Sequence, residues 1–375
     1  MMQMMKRRMM GRLLSLFLML IVSFACSNEE SGDSQNQDNF DRSAMLVHWA
    51  DDYILPAYQN YNREVMSLKS AANQFSSAPS LNLHSDLHAQ FVKAYTAWQW
   101  VSFLEIGPAE ANNLRNFTNI YPTSATEIEQ ALVNTNYNLS LPSTFNEQGF
   151  PAIDYLLSGL GDASTTVNQF TSNANYGRYL SALSERLEAM STQVLNDWNV
   201  TYRSEFISNT GSSATASTNK LINDFIYHFE KELRAGKVGI PAGIFSGSPL
   251  AQNVEGYYSD SLSKSLFLES LKAHRAFFQG SGFLNEASGN SLEQYLNYLN
   301  IENQGELLSA KIINQMAMAE SLAVDLPASF SSLAANSNQD LLVLYDELQK
   351  AVVLLKVDML QALNVRVDYI DADGD

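Results

Sequence analysis

The chain contains one cysteine, Cys26, in 375 residues. A disulfide within the chain and a cysteine-based zinc cluster are therefore both excluded. Basic residues are also scarce: 23 Lys and Arg stand against 40 Asp and Glu, for a net charge of −17. Such an acidic chain repels phosphate backbones, which argues against nucleic acid as a partner. There is no Walker loop, dinucleotide fingerprint or nucleophile elbow, no 34-residue repeat and no series of alternating strands. What remains is a globular mix, 46% hydrophobic and 17% charged, long enough for a substantial core and for two domains.

The first 25 residues stand apart from this body. Lys6, Arg7, Arg8 and Arg12 precede an apolar run from Leu13 to Ala25. The run matches a signal-peptide core in length and is short for a membrane span. It ends at Cys26, directly after the small residue Ala25, as bacterial lipoprotein cleavage sites do. Ser23 departs from that pattern, which usually has Leu or Val there, and an ordinary secretory signal is the alternative. We expect residues 1–25 to be removed and Cys26 to be lipidated, with the membrane as partner through that anchor. The expected location is the bacterial cell envelope, on the periplasmic side of the outer membrane or at the cell surface. Residues 26–42 are polar and read as a flexible tether. Removing the four basic residues of the leader leaves 19 against 40 acidic ones, a net charge of −21.

Beyond the tether, apolar residues recur at three- and four-residue steps. Residues 44–75 carry Leu46, Ala50, Tyr53, Ala57, Tyr61, Val65, Leu68, Ala72 and Phe75 on one face, with Pro56 as an expected kink. Similar faces run through 86–106, 175–203, 215–235, 257–279 and 304–325, and from Leu341 to Ala362. The spacing predicts an all-α protein of long packed helices. The small polar stretch 209–217 divides it into a first bundle, 43–208, and a second, 218–375. Gly236, Gly239, Pro241, Gly243, Gly247 and Pro249 are expected to form one extended irregular loop.

Few residues offer chemistry on spacing alone. His84 and His88 lie four apart at a helix start, a spacing able to hold a metal, although polar residues collect at helix starts in any case. His228 and Glu232 repeat it, with an exposed charged helix face as the favoured reading. His48 and His274 stand alone in amphipathic helices and read as packed or surface residues. Asp371, Asp373 and Asp375 resemble the start of a calcium loop, but Tyr369 occupies its first ligand position and the closing glutamate is absent.

Four stretches, in order, are similar to the imelysin-like family. They are Ala97-Trp98 leading to Glu105-Ile106-Gly107-Pro108 and Tyr121-Pro122; Gly149-Phe150-Pro151-Ala152-Ile153-Asp154-Tyr155-Leu156-Leu157; Gly239-Ile240-Pro241 followed by Glu255-Gly256-Tyr257-Tyr258-Ser259; and Asp358 to Asp375. The resemblance implies two packed helical bundles with a cleft between them, in an envelope protein linked to iron or haem acquisition. It implies a possible partner in an outer-membrane iron or haem receptor. It also places Trp98, Glu105, Lys237, Glu255, Tyr258 and Ser259 around the cleft.

The family motif Gly-x-His-x-x-Glu puts an imidazole and a carboxylate on one helix face, able to grip a metal. Here the matching positions are Gly149, Pro151 and Asp154. Proline cannot coordinate through its side chain, and aspartate is one methylene shorter than glutamate. Iron or zinc binding is accordingly weakened, no catalytic residue is assigned, and a non-catalytic binding protein is the expected function. A metallopeptidase is one alternative; a structural or interaction lipoprotein without a small ligand is the other. Pro151 also suits a plain helix start, with Asp154 near the positive end.

Overall fold

The periodic segments become helices because their apolar stripes can be buried only against one another. In a computed structural model, which describes residues 39–135, 137–283 and 288–369, the protein is all-α. Its main helices are α1 (Leu55–Ser77), α2 (Leu81–Trp98), the short α3 (Gly149–Asp154), α4 (Ala174–Asp197), α5 (Ser217–Tyr227), α6 (Ser263–Gln279), α7 (Leu308–Asp325) and α8 (Gln339–Val353). Among the described residues, strand pairing is confined to the antiparallel pair Glu302–Asn303 and Glu306–Leu307, plus an isolated bridge between Ser281 and Ser288. No helix among them is long and apolar enough to cross a membrane.

Helix α1 packs against both α2 and α4, and α8 packs against α7 and the segment His228–Gly239. Leu68, Ala72, Phe75, Leu87, Phe91 and Leu180 fill the first group; Leu233, Ile312, Met316, Leu344 and Leu348 fill the second. The contacts gather the chain from Asp41 onward into one unit. The polar stretch 209–216 is a turn between Arg203–Ser208 and α5.

Helix starts follow ordinary capping chemistry. Ser80 accepts from Leu83 N ahead of α2, and Asn173 accepts from Asn175 N ahead of α4.

The helices widen repeatedly to i→i+5 bonding, at Trp49–Ile54, Tyr155–Gly159, Trp198–Tyr202, His228–Gly239 and Leu354–Met359. Such turns are rare and shift the face that later residues present. The first of them, just ahead of Pro56, lies inside the helix expected over 44–75, which runs on through it without a gap.

Two expectations are corrected here. Gly236 and Gly239 lie in the widened helix and Pro241 in the turn Ile240–Ala242, so the irregular loop begins only at Gly243. Around them Val238 and Ala242 are buried, and helical bonding satisfies their backbone where an open loop could not. His228 lies 2% exposed, not on a charged outer face, because the segment it begins faces the core from several sides.

Candidate functional site

Asp154 ends α3, and the local sequence explains how it is held. Gly149 starts the helix at φ +74, and a Cβ there would stand 2.1 Å from the Thr118 carbonyl oxygen. Only glycine allows this approach. Pro151 lies in the first turn, where its missing N–H costs no helical bond. Asp154 lies beyond that turn, so the helix N-terminus is not what holds its charge. Its Oδ2 accepts from Tyr258 N at 2.9 Å and its Oδ1 from Ser259 Oγ at 2.5 Å. It is 1% exposed, and burial pushes its carboxyl up to about 6 against the pull of these hydrogen bonds.

Ser259 joins two further groups. Its Oγ lies 3.1 Å from Ser158 Oγ and 3.3 Å from His88 Nε2. His84, by contrast, turns its Nε2 to the Leu157 carbonyl at 3.0 Å. The two histidines of the i, i+4 pair thus have separate partners. Among the described residues, no group of three or more His, Cys, Asp or Glu side chains is placed to hold a metal.

Pro151 and Asp154 line a cavity of about 280 Å³ together with Tyr121, Pro122, Thr123, Gln252, Val254, Gly256, Tyr257 and Tyr258. Behind its wall lies a buried polar network. Lys237, 4% exposed, is ion-paired with Glu255, 1% exposed, and donates to Gln99 Oε1 at 2.9 Å. Glu255 Oε1 accepts from Gln99 Nε2 at 3.1 Å and Asn119 Nδ2 at 2.7 Å. Burial lowers the Lys237 ammonium from its ordinary range, and Glu255 works against that shift.

Glu105 belongs to a different cavity of about 230 Å³, which it lines with Arg115, Asp224 and Tyr227. Arg115 Nη2 bonds both Asp224 oxygens at 2.8 Å. Glu105 accepts from Arg115 N at 3.0 Å, and its own N–H donates to Asp224 Oδ2 at 2.7 Å. Burial raises the Glu105 carboxyl to about 8, opposed by Arg115 and reinforced by the Asp224 charge. Trp98 is 1% exposed in the core beside Tyr61, with ring centroids 5.5 Å apart. The fold thus brings Asp154, Tyr258 and Ser259 together, pairs Lys237 with Glu255, and sets Glu105 and Trp98 elsewhere. Cys26 and the residues 371–375 lie outside the described residues.

Sequence reasoning missed two pairings and the place of one residue it had named. Arg115 and Asp224 are 109 residues apart. Tyr121 borders the cavity, although only the dipeptide Tyr121-Pro122 was singled out. His228 Nδ1 lies 3.2 Å from His274 Nε2, and His274 Nδ1 donates to the Ser270 carbonyl at 2.8 Å. Since a carbonyl only accepts, His274 Nε2 is the acceptor and His228 the donor. Burial holds both imidazoles neutral, His274 down to about 3. No local pattern announces a pair 46 residues apart.

Fold and site together define an all-helical protein with a small cavity built around one buried carboxylate and clad in tyrosine. The chain belongs to the imelysin family, whose profile (Peptidase M75) matches residues 54–357. No curated protein sequence matches it. Among solved structures it is similar to an iron-regulated protein A precursor, by name, from Parabacteroides distasonis ATCC 8503. That match has 17% identity and a TM-score of 0.70, and covers 86% of this chain and 95% of the other. It is also similar to an imelysin-like protein from Psychrobacter arcticum 273-4, at 18% identity and a TM-score of 0.68, covering 88% of this chain and 97% of the other. At these identities the likeness establishes the shared fold.

Proposed function

We propose that this chain is a non-catalytic, lipid-anchored envelope binding protein that serves iron acquisition. The observation that carries the reading is the pairing of Pro151 with an intact cavity. The position where the family motif carries an imidazole has no side-chain donor. A cavity of about 280 Å³ lies beside it, with Asp154 in its lining. A hydrolytic metal centre needs several firm ligands and an activated water. Asp154 instead holds Tyr258 N and the Ser259 hydroxyl. A pocket without a catalytic ligand set supports a binding role.

Iron is favoured because a protein of the same fold carries the name iron-regulated protein A. The cavity lies at the lower end of small-molecule sites, which favours an iron ion or compact chelate over haem. An outer-membrane iron or haem receptor is the partner this role calls for.

Native mass spectrometry of protein purified from its own envelope, with metal analysis of the same sample, tests the reading. The expected result is an iron-bearing species. Zinc-restored, chelator-sensitive cleavage of a broad peptide library would establish the metallopeptidase instead.

A further inference from the structure

A larger groove, of about 570 Å³, lies where three helices meet. Each helix brings one face to it. Asn60 and Glu64 lie four apart on α1, Lys93 and Thr96 three apart on α2, and Glu269 and Lys272 three apart on α6. Trp100, just past the end of α2, and Phe283, just past α6, form an aromatic wall. This volume falls within the range of small-molecule sites, roughly 300–1,000 Å³, which the two cavities described above do not reach. A groove of about 530 Å³ along Ala125–Asn134 is similar in size. Its one charged group, Glu129, already holds the Tyr155 and Tyr176 hydroxyls.

Trp100 is the tryptophan that the core does not take. Trp49, Trp98 and Trp198 are at most 1% exposed, while Trp100 stays partly open to water. Its indole is nevertheless fixed. Phe283 meets it edge-on at 5.2 Å and 80°, and Phe283 N donates to the Asp52 carbonyl at 2.7 Å. The Lys272 ammonium lies 5.4 Å from the indole centroid. A rigid aromatic surface left in contact with water is a ready wall for a ligand.

The charges around it cancel. Lys93 and Lys272 stand against Glu64 and Glu269. Lys272 pairs with Glu269 at 3.6 Å, and Glu64 with Arg63 at 3.0 Å. A strongly charged ligand has to break these pairs, and a wholly apolar one strands them away from water. Both costs are smallest for a neutral ligand with an apolar face and a hydroxylated edge. Among the described residues, Glu269 Oε2 is enclosed with no hydrogen-bond donor, so this carboxylate has acceptor capacity to spare. Asn60 and Thr96 add an amide and a hydroxyl. The geometry points to a binding site for a neutral saccharide, its ring against Trp100 and its hydroxyls bonded to Glu269, Thr96 and Asn60. The site is independent of the iron reading and shares no lining residue with the motif cavity.

The test is titration of the folded mature protein with maltotetraose, cellotetraose, xylotetraose and chitotetraose, followed by the indole N–H signals in a nitrogen-15 correlation spectrum. The chain has 4 tryptophans, and Trp100→Phe assigns the signal of Trp100. At least one of these sugars is expected to shift that signal and to leave the three core indoles in place. Trp100→Ala and Glu269→Gln should each weaken binding of that sugar at least about tenfold. Trp100→Ala also removes packing from Phe283, so Glu269→Gln, which keeps the side-chain shape, is the independent arm. No shift with any of the four sugars up to about 10 mM, well above a millimolar Kd, overturns the site. So does sugar binding that survives both variants. A Trp100 shift produced by citrate or spermidine and not by the neutral sugars overturns the ligand class.

Discussion

Replacing Glu105 with glutamine should remove a pH dependence of folding stability without unfolding the protein. Glu105 and Asp224 share one guanidinium, that of Arg115, which bonds Asp224 directly. Glu105 is left with the backbone N–H of Arg115, and burial raises its carboxyl to about 8. The sign follows from proton binding. Between the unfolded value near ~4.3 and the folded value of about 8, the native state holds more protons than the unfolded one. Glu105 therefore contributes stability that is fully present at low pH and lost as pH rises through that window. A shift of that size has a ceiling of about 5 kcal/mol at ~1.36 kcal/mol per unit. The carboxyl borders an open cavity, so screening reduces the expected loss to about 1–2 kcal/mol.

Glutamine copies the neutral acid in shape. Urea unfolding of wild type and Glu105→Gln, at several pH values from about 5 to 8, should show wild-type stability falling relative to the variant. Near the upper end the variant should be the more stable protein. Asp224→Asn is the control: it strips Arg115 of its carboxylate and should destabilise at every pH, by about 2–4 kcal/mol. Parallel pH profiles for wild type and Glu105→Gln would refute the argument, since they would mean that Glu105 is ionised in the folded protein throughout.

Lys237→Met should cost about 3–5 kcal/mol in urea unfolding, because it strands the buried Glu255 charge; a loss below about 1 kcal/mol would mean that the pair is solvated. The double change Pro151→His and Asp154→Glu should raise zinc affinity at least about tenfold by calorimetry, with neither single change sufficient, and unchanged affinity would show that this helix face cannot hold a nitrogen–oxygen pair. Cys26→Ser should move the protein from the membrane pellet to the soluble fraction; wild-type protein already soluble after lysis would rule out the anchor.

The helical class was legible in the chain because apolar spacing records which face of a segment is buried. Leu341, Leu344, Leu348 and Val352 were placed on a buried stripe by spacing, and all four are buried. The loss of the motif imidazole was equally legible, since residue identity at Pro151 settles it in any fold. What spacing cannot record is the partner each face meets. Lys237 with Glu255, His228 with His274, and Glu105 with Arg115 and Asp224 are meetings between elements, made by packing.

Widening of the helix adds a second obstacle. Over His228–Gly239 the turns carry i→i+5 bonds, so a face drawn at 3.6 residues per turn drifts off its true direction. The run of Gly and Pro from Gly236 made this stretch read as a loop, and its charged residues made His228 and Glu232 read as an exposed pair, whereas packing buries the segment. The ionisation of Asp154 and Glu105 was decided last of all by tertiary structure, because the cost of burying a carboxylate depends on the donors and charges that the finished fold sets around it.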